Sequence, residues 1–249
     1  QRRTRTLNPV CFYIGSRPIY WYGVMVACAF LACVIRWNLM ARREGREHGF
    51  GSELGFWIMV SGILGARLAY VLANWSEFAN HPLDVVRIDK GGLIFYGGFI
   101  GASLGLILFA RARKIRLWTL ADFTVCALPL GHAIGRIGCF INGCCYGAET
   151  SVPWATTLEG IRRHPVQLYE SAFNLAVFFL LAWFYPRKKR EGSVLVLYLV
   201  TYPVGRFLLE FLRGDDRLRW FGLNVAQEVS LGLFVAGLIL WFSMKRKAE

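Results

Sequence analysis

The stretch LGFWIMVSGILGARLAYVLA, residues 54–73, contains one charged residue, Arg67, in an otherwise apolar run. About 20 consecutive, mostly apolar residues are the length that an α-helix needs to cross the hydrocarbon core of a bilayer. A helix that packs on a soluble core would instead show a polar face along its length. The stretch therefore predicts a transmembrane helix that carries a charge inside the membrane.

Six other stretches have the same character, which favours an all-α integral membrane protein with about seven transmembrane helices. The predicted spans are 19–40, 54–73, 92–110, 117–135, 167–185, 193–212 and 223–242. Because these spans use more than half of the chain, we expect residues 1–249 to form a single membrane-embedded domain without a separate soluble part.

The composition agrees with this prediction. Hydrophobic residues make up 55% of the chain and charged residues 18%, yet the net charge is +13. An average soluble domain is about 25% charged, so the composition excludes a disordered chain and most soluble enzymes. A basic excess on so apolar a chain indicates contact with negatively charged membrane lipid and argues against a nucleic-acid partner.

Lysine and arginine are packed most densely into the short loops 41–53, 111–116 and 186–192 and into the C-terminal tail. Such basic loops stay on the cytoplasmic side of a membrane. With an odd number of spans, the N-terminus is then outside and the C-terminus cytoplasmic. The polar motifs described below then fall at the outer ends of their spans. Asp122 lies at the other side and is more typical of a structural partner.

The segment GRIGCFINGCCYG, residues 135–147, follows an apolar span and is rich in glycine. Irregular backbone at membrane depth is tolerated only where protein or a water-filled cavity surrounds it. Arg136 offers a planar fork of donors that fits a phosphate. The alternative is an arginine that reaches to the interface from a helix end, but the glycine-rich setting favours a binding site.

The segment RHPVQLYE, residues 163–170, opens the fifth span. His164, Gln167 and Glu170 are spaced at intervals of three and fall roughly along one side of a helix. A lone histidine here would more often be an interfacial residue. A glutamate just inside the apolar region, in contrast, needs a cationic partner.

The sixth span ends in YPVGRFLLEFLR, residues 202–213. Arg206, Glu210 and Arg213 share one face of this helix. Ionisable residues inside a span indicate a functional site by default. The alternative is a structural arginine–glutamate pair that holds two helices together.

The segment DKGGLIFYGG, residues 89–98, opens the third span with two glycine pairs and Tyr96. The glycines are equally typical of close helix packing, and Tyr96 of an aromatic belt at the interface. Tyr22 begins the first span and falls at the same predicted end of the bundle.

These motifs converge on the outer end of the predicted bundle. The simplest account is one cavity that opens at the outer leaflet, lined by Arg67, Arg136 and Arg206 with Glu170 and Glu210 near them. Several arginines in the outer half of a membrane suit an anionic amphiphile, because they bind its phosphate while its tails stay in lipid. The ligand that we expect is an anionic phospholipid.

Three cysteines, Cys139, Cys144 and Cys145, crowd one segment. Their spacing does not match a CxxC pair, so a zinc or iron–sulfur site has little support, and we expect no metal or other cofactor. A disulfide from Cys139 to either later cysteine and a free reactive thiol are both compatible with the pattern.

In these residues the chain resembles the prolipoprotein diacylglyceryl transferase family. The resemblance covers nearly all seven spans in order, through YWYG (20–23), GARLAYVL (65–72), GGLIFYGGFIG (91–101) and the segments 135–147, 163–170 and 202–213. The GRIG–FING and HP–QLYE patterns at this separation are highly specific together, although each is weak alone.

The resemblance implies a multi-pass enzyme of the bacterial cytoplasmic (inner) membrane that starts lipoprotein maturation. Such enzymes move the diacylglyceryl group of phosphatidylglycerol to the lipobox cysteine thiol of a preprolipoprotein, which forms a thioether and releases glycerol phosphate. The residues that it implies in catalysis are Arg136, Arg206, Tyr96 and Glu210. Those that it implies in substrate binding are Tyr22, Arg67, Asn142, His164, Gln167, Glu170, Tyr202 and Arg213.

The chain departs from the family pattern at two positions. Many members carry histidine where this chain has Tyr96, and a phenol is a poor base for the incoming thiol at neutral pH. The base is then Glu210 or His164, or the arginines activate the thiol through their positive field. Cys139 replaces a common asparagine, whereas the later asparagine, Asn142, is kept.

Two other functions stay open on the residues alone. One is a membrane thiol–disulfide protein that works through Cys139, Cys144 and Cys145. The other is a lipid transporter in which the arginines bind a head group. Transporters often consist of repeated halves, and we find no internal repeat in this sequence.

Overall fold

A computed structural model describes residues 9–79, 82–87, 91–215, 219–220 and 222–246. This part of the chain is mostly helical, and seven helical spans are long and apolar enough to cross a membrane, which confirms the predicted architecture. The helices are α1 (Trp21–Arg43), α2 (Phe50–Ala73), α3 (Trp75–Phe78), α4 (Phe95–Ala112), α5 (Leu117–Val125), α6 (Leu128–Ile141), α7 (Val166–Phe184), α8 (Ser193–Glu210) and α9 (Val225–Arg246). Short 3-10 helices cover Pro82–Val86 and Tyr185–Arg187.

The fourth span consists of two helices, α5 and α6, which together cover Leu117–Ile141. Pro129 lies in the first turn of α6, where its missing N–H costs no helical hydrogen bond. Helix α6 continues to Ile141, so the GRIG part of the glycine-rich segment is helical, and irregular backbone begins only after it. Gly138 packs closely on α1, since a Cβ there would lie 2.8 Å from the Met25 side chain.

Within the described ranges, three short antiparallel hairpins lie in the polar segments. They pair β1 (Val10–Ile14) with β2 (Arg17–Tyr20), β3 (Thr156–Leu158) with β4 (Ile161–Arg163), and β5 (Arg219–Trp220) with β6 (Leu223–Asn224). None of them was predicted. Strands this short show too little alternation of apolar and polar residues to be recognised in a sequence.

The chain forms two compact units. The first unit comprises Gln1–Cys33 and Thr124–Glu249, and the second unit comprises Val34–Phe123. The organisation of residues 1–249 as a single membrane-embedded domain stays a prediction.

In the second unit, α2 packs on α4 through small residues. A Cβ on Gly65 would lie 2.8 Å from the Cα of Gly101, and a Cβ on Gly97 would collide with the side chain of Ala69. Small residues permit such close approach of membrane helices. Of the two glycine pairs in segment 89–98, the prediction of close helix packing is therefore confirmed for Gly97 of the second pair.

In the first unit, α7 contacts both α6 and α8, and α9 packs on α8. Ser171 of α7 donates a hydrogen bond of 2.9 Å to the carbonyl oxygen of Ala133 in α6. Gly205 of α8 leaves room for the ring of Phe173 in α7. These contacts bring together the C-terminal half of α6, the first turns of α7 and the end of α8, which carry three of the polar motifs.

Candidate functional site

Glu170, on α7, is the centre of a buried cluster of charges in the first unit. Its side chain is 2% exposed, and its carboxylate pairs with Nε of Arg136. The other carboxylate oxygen lies 3.1 Å from Nη1 of Arg206 and 3.5 Å from Nη1 of Arg213. The expectation that Glu170 needs a cationic partner is confirmed, and the partner is a set of three arginines from three parts of the chain.

Glu210 completes the environment of Arg206. The two side chains are one helical turn apart on α8 and form an ion pair, and the Glu210 side chain is fully buried. Asn224 donates a hydrogen bond of 3.0 Å from Nδ2 to the second carboxylate oxygen of Glu210. Both oxygens of Glu210 are therefore engaged.

Asn224 is itself held in place by the start of α9. Its Oδ1 accepts a hydrogen bond of 3.0 Å from the backbone N–H of Gln227, and its own N–H donates to Oε1 of Gln227 at 3.2 Å. This reciprocal pair is a capping box, which satisfies N–H groups at a helix start. The start of α9 thereby positions a donor toward Glu210.

Arg213 lies just after α8 and is held from several sides. Its Nε and Nη2 bind the two carboxylate oxygens of Asp215 at 2.8 and 2.7 Å, a bidentate pair. The backbone around it pairs with the segment after α6, because Gly147 bridges Arg213 and Gly214 donates to the carbonyl of Tyr146 at 3.1 Å. Arg213 thus fixes the ends of two spans relative to Glu170.

We refer to the side chains of Arg136, Glu170, Arg206, Glu210, Arg213 and Asp215 as the arginine–carboxylate cluster. Its arginines differ in access: the side chains of Arg136 and Arg206 are 14% and 11% exposed, and that of Arg213 is 2% exposed. Among the described residues, Arg136 makes its ion pair through Nε and Arg206 through Nη1. Both keep further N–H groups for a ligand, whereas the geometry of Arg213 favours a positioning role.

Tyr202 lies next to this cluster on α8, one turn before Arg206. Its ring stacks on that of Tyr198 at 5.1 Å and lies 5.6 Å from the ring of His132. His132, on α6, is one turn before Arg136. The ring of Tyr202 and the imidazole of His132 therefore border the pair of partly exposed arginines, and Tyr198 backs the ring of Tyr202.

Gln167, His164 and Asn142 shape the segment between α6 and α7. Gln167 is buried and donates a hydrogen bond of 2.7 Å to the carbonyl of Cys144. The backbone of His164 pairs with Gly147 and Ala148, and its Nδ1 lies 3.4 Å from the hydroxyl of Tyr169. Asn142 is the C-cap residue of α6. Their contact with a substrate stays a prediction.

Tyr22 lies in the first turn of α1 in the same unit, and its side chain is exposed. The Cα of Tyr22 lies 3.7 Å from the position of a Cβ on Gly138, so the first turn of α1 runs along the last turns of α6. A role of Tyr22 in substrate binding stays a prediction.

Arg67 and Tyr96 belong to the second unit. Arg67 is buried and donates to four backbone carbonyls, those of Asp84, Val85, Gly91 and Gly92, at 2.5 to 3.1 Å. A cavity of about 160 Å³ adjoins it, lined also by Tyr70, Glu77 and Phe78. Tyr96 is exposed beside Phe95 in the first turn of α4. The expected cavity shared by Arg67, Arg136 and Arg206 stays a prediction.

The three cysteines after Arg136 are free thiols, and their Sγ atoms all lie within 4.8 Å of one another. Hydrogen bonding with Cys139 lowers the pKa of Cys145 against the effect of burial, and the guanidinium of Arg213 acts in the same direction. Burial and the neighbouring Cys145 raise the pKa of the Cys144 thiol. Although burial opposes it, hydrogen bonding to Asp215 and Cys145 raises the pKa of Arg213.

Four residues of this site were not predicted: His132, Asp215, Asn224 and Gln227. His132 had a recognisable signal, because it is an ionisable residue inside a span and one turn from Arg136. Asp215, Asn224 and Gln227 follow the sixth span in an ordinary polar loop and helix start. Only the structure shows that Asp215 pairs with Arg213 and that Asn224, held by Gln227, bonds to Glu210.

The chain is similar to proteins of one family. The model of the family described as prolipoprotein diacylglyceryl transferase matches residues 9–243. Three bacterial relatives carry the name phosphatidylglycerol–prolipoprotein diacylglyceryl transferase. That of Trichormus variabilis is 35% identical over 96% of this chain and 91% of its own length. Those of Clostridioides difficile and Methylobacillus flagellatus are 33% and 35% identical, over 97% and 96% of this chain and 97% of their own lengths.

Proposed function

The chain belongs to the prolipoprotein diacylglyceryl transferase family, and we propose that it transfers the diacylglyceryl group of phosphatidylglycerol to the lipobox cysteine of a preprolipoprotein at the arginine–carboxylate cluster. The observation that carries this location is the partial exposure of the Arg136 and Arg206 side chains, at 14% and 11%, beside the buried side chains of Glu170, Glu210 and Arg213. These two side chains can meet a ligand without any loss of their carboxylate partners.

The reaction replaces a carbon–oxygen bond with a carbon–sulfur bond. The thiolate of the lipobox cysteine attacks the glycerol carbon that carries the phosphate ester, and glycerol phosphate leaves with the electron pair of the broken bond. Negative charge therefore builds up on the phosphate oxygen in the transition state. The free N–H groups of Arg136 and Arg206 stabilise that charge, which is the largest contribution that a preorganised site makes.

The carboxylates of the cluster keep the arginines in place before lipid arrives. Arg136, Arg206 and Arg213 are balanced by Glu170, Glu210 and Asp215, so the cluster carries no net charge. A buried arginine without such partners would be costly in a membrane protein. Lipid binding then depends on open hydrogen-bond donors aimed at the phosphate and less on an excess of positive charge.

The acceptor of the thiol proton has two candidates, His164 and Glu210. Proton transfer to Glu210 requires that its contact with Arg206 or Asn224 opens first. Tyr96, if it takes part, acts as a hydrogen-bond donor, because a phenol is a poor base at neutral pH. Full turnover by a Tyr96→Phe variant would remove Tyr96 from the reaction.

The enzyme is a multi-pass membrane protein, and the cytoplasmic membrane of a bacterium is its proposed location. The distribution of lysine and arginine supports an N-terminus outside, a C-terminus in the cytoplasm and a site that opens toward the outer leaflet. This orientation suits an acceptor protein that has already crossed the membrane.

The decisive experiment uses purified protein in detergent, phosphatidylglycerol and a peptide with one lipobox cysteine. Mass spectrometry should show the diacylglyceryl increment on that cysteine, and Arg136→Ala and Arg206→Ala should each lower the rate by about 10²–10³-fold. Arg187→Ala is the matched control, because Arg187 is an exposed arginine that donates to the carbonyl of Trp183. No increment with the wild-type chain would contradict the proposal.

The same assay separates the two alternatives. A thiol–disulfide protein predicts that joint replacement of Cys139, Cys144 and Cys145 by serine abolishes function while Arg206→Ala is mild. A transporter predicts no modification of the peptide in this assay and, with the protein reconstituted in vesicles, movement of labelled phosphatidylglycerol between leaflets.

A further inference from the structure

Three thiols meet at the end of α6 in an arrangement that the transferase reaction does not use. Cys139 lies in the last turn of the helix, and Cys144 and Cys145 lie in the turn that follows it. All three Sγ atoms are within 4.8 Å of one another. Cys139 is buried, and the other two are partly exposed.

The backbone between these residues folds back sharply. Gly143 has φ +70° and Cys145 has φ +62°, a left-handed conformation that only a few per cent of non-glycine residues adopt. The N–H of Cys144 bonds to the carbonyl of Cys139 at 3.2 Å, and Gln167 holds the carbonyl of Cys144 at 2.7 Å. These contacts hold Cys145 in a strained conformation in which its thiol joins the other two.

We propose that Cys139, Cys144 and Cys145 form a three-thiolate binding site for one thiophilic d¹⁰ metal ion of the Zn²⁺ and Cd²⁺ class. Thiolates are the ligands that such ions prefer. A zinc–sulfur bond of about 2.3 Å places tetrahedral sulfur ligands roughly 3.8 Å apart, so separations within 4.8 Å need a contraction of about 1 Å at most. A disulfide would use two of these cysteines, whereas a metal ion uses all three.

Neighbouring arginines can balance the charge of the occupied metal site. Three thiolates and one divalent ion leave a net charge of about −1. Arg213 is within hydrogen-bonding reach of Cys145, and the charge of Arg136 acts on both Cys139 and Cys145. Donors of this kind around sulfur ligands are a regular part of metal sites in proteins.

The sequence spacing predicts no metal site, because Cys-x4-Cys-Cys does not contain a CxxC pair. In the structure, the helix end and the left-handed turn take the place of the short spacer. The expectation of no metal is therefore replaced by this proposal, which does not depend on the transferase activity.

The test uses the full chain in detergent, reduced, freed of metal by a chelator and without peptide substrate. Titration with Cd²⁺ should give a thiolate-to-cadmium charge-transfer absorption band that saturates at about one equivalent. Cys139→Ser and Cys145→Ser should each weaken Cd²⁺ binding by more than about tenfold. Cys28→Ser is the matched control, since Cys28 is a free, exposed thiol on α1 outside this group.

A second readout needs no variant and so does not depend on how the variants fold. Bound Cd²⁺ should protect Cys139, Cys144 and Cys145 from alkylation, and peptide mass spectrometry locates the protected residues among the seven cysteines of the chain. Protection of other cysteines, equal loss of the band in Cys28→Ser, or no band in the reduced wild-type chain would each overturn the proposal.

Discussion

Arg206 in the first unit is partly exposed and Arg67 in the second is buried, yet both are arginines largely enclosed within membrane helices, and different groups hold them. Arg206 is paired with two carboxylates, those of Glu170 and Glu210. Arg67 donates from all three of its nitrogens to backbone carbonyls of the segment after α2. Burial alone therefore does not distinguish a ligand-binding arginine from a structural one.

The partners decide what each arginine can do. Among the residues that the structure describes, the contacts of Arg206 involve one nitrogen, Nη1, and leave an edge of the guanidinium for a phosphate. Arg67 also lies over the rings of Tyr70 and Phe78, at 5.6 and 5.3 Å. Its hydrogen bonds and both faces are largely committed to the fold of the second unit. The comparison predicts a loss of catalysis from changes at Arg206 and a loss of stability from changes at Arg67.

The largest effect is expected for Arg206. Arg206→Ala should lower kcat/KM for phosphatidylglycerol by about 10²–10³-fold, because it removes a donor that meets charge in the transition state. Arg206→Lys should recover only part of this loss, since an ammonium keeps the charge but not the planar fork. Initial rates from the mass-spectrometric assay measure both.

Arg206 also balances two buried carboxylates, so unfolding must be recorded alongside the rates. The unfolding midpoint in detergent, followed by tryptophan fluorescence, shows whether a slow variant is still folded. Near-wild-type turnover of folded Arg206→Ala would show that the carboxylate-held arginine is structural, and the distinction from Arg67 would fail.

Arg67→Ala is expected to act on stability instead. The substitution leaves four carbonyl groups without their donor. A buried unsatisfied group costs roughly 1–3 kcal/mol, but water has partial access to this loop. The free energy of unfolding should therefore fall by about 3 kcal/mol. Arg113→Ala is the matched control in the same unit. Arg113 pairs with Glu47 and Glu53 at the surface, and exposed pairs contribute about 0–1 kcal/mol.

An unchanged unfolding midpoint would contradict this interpretation of Arg67. If Arg67→Ala instead raises KM for phosphatidylglycerol and leaves the midpoint unaltered, Arg67 binds substrate, as the family resemblance implies. That outcome would show that backbone-held arginines in this fold can also serve the lipid.

The seven spans and the charged residues at the centre of the arginine–carboxylate cluster could be predicted from the sequence for the same physical reason. A membrane makes apolar length and intramembrane charge conspicuous, so Arg136, Glu170, Arg206 and Glu210 stand out against their surroundings. The partners of Arg67 carry no such signal, because any residue offers a backbone carbonyl.

Residues outside the spans were harder to predict. Asp215 and Asn224 are common polar residues in a loop, and the cap of α9 that aims Asn224 at Glu210 depends on how α8 and α9 pack. The three thiols gather through a left-handed turn at Cys145, which no spacing rule anticipates. The contacts that could not be predicted from the sequence are those that depend on loops and helix ends.

The smallest effect is expected at Asn224. Changes there test whether the orientation of the Glu210 carboxylate affects catalysis by Arg206. Asn224→Ala removes the hydrogen bond to Glu210, and a hydrogen bond to a charged group is worth about 1.5–3 kcal/mol at most. Because Arg206 still holds Glu210, we expect a smaller cost of about 1 kcal/mol, or roughly fivefold in kcat/KM.

Asn224→Ser separates this effect from the capping of α9. Serine is also a good N-cap residue, but its side chain is too short to reach Glu210 as the amide does. Both variants should therefore lose the same fraction of kcat/KM, whereas Asn224→Ala should lower the unfolding midpoint further than Asn224→Ser, because it also removes the cap of α9. If Asn224→Ser keeps full activity, the orientation of Glu210 does not control Arg206, and the carboxylates serve only to balance charge.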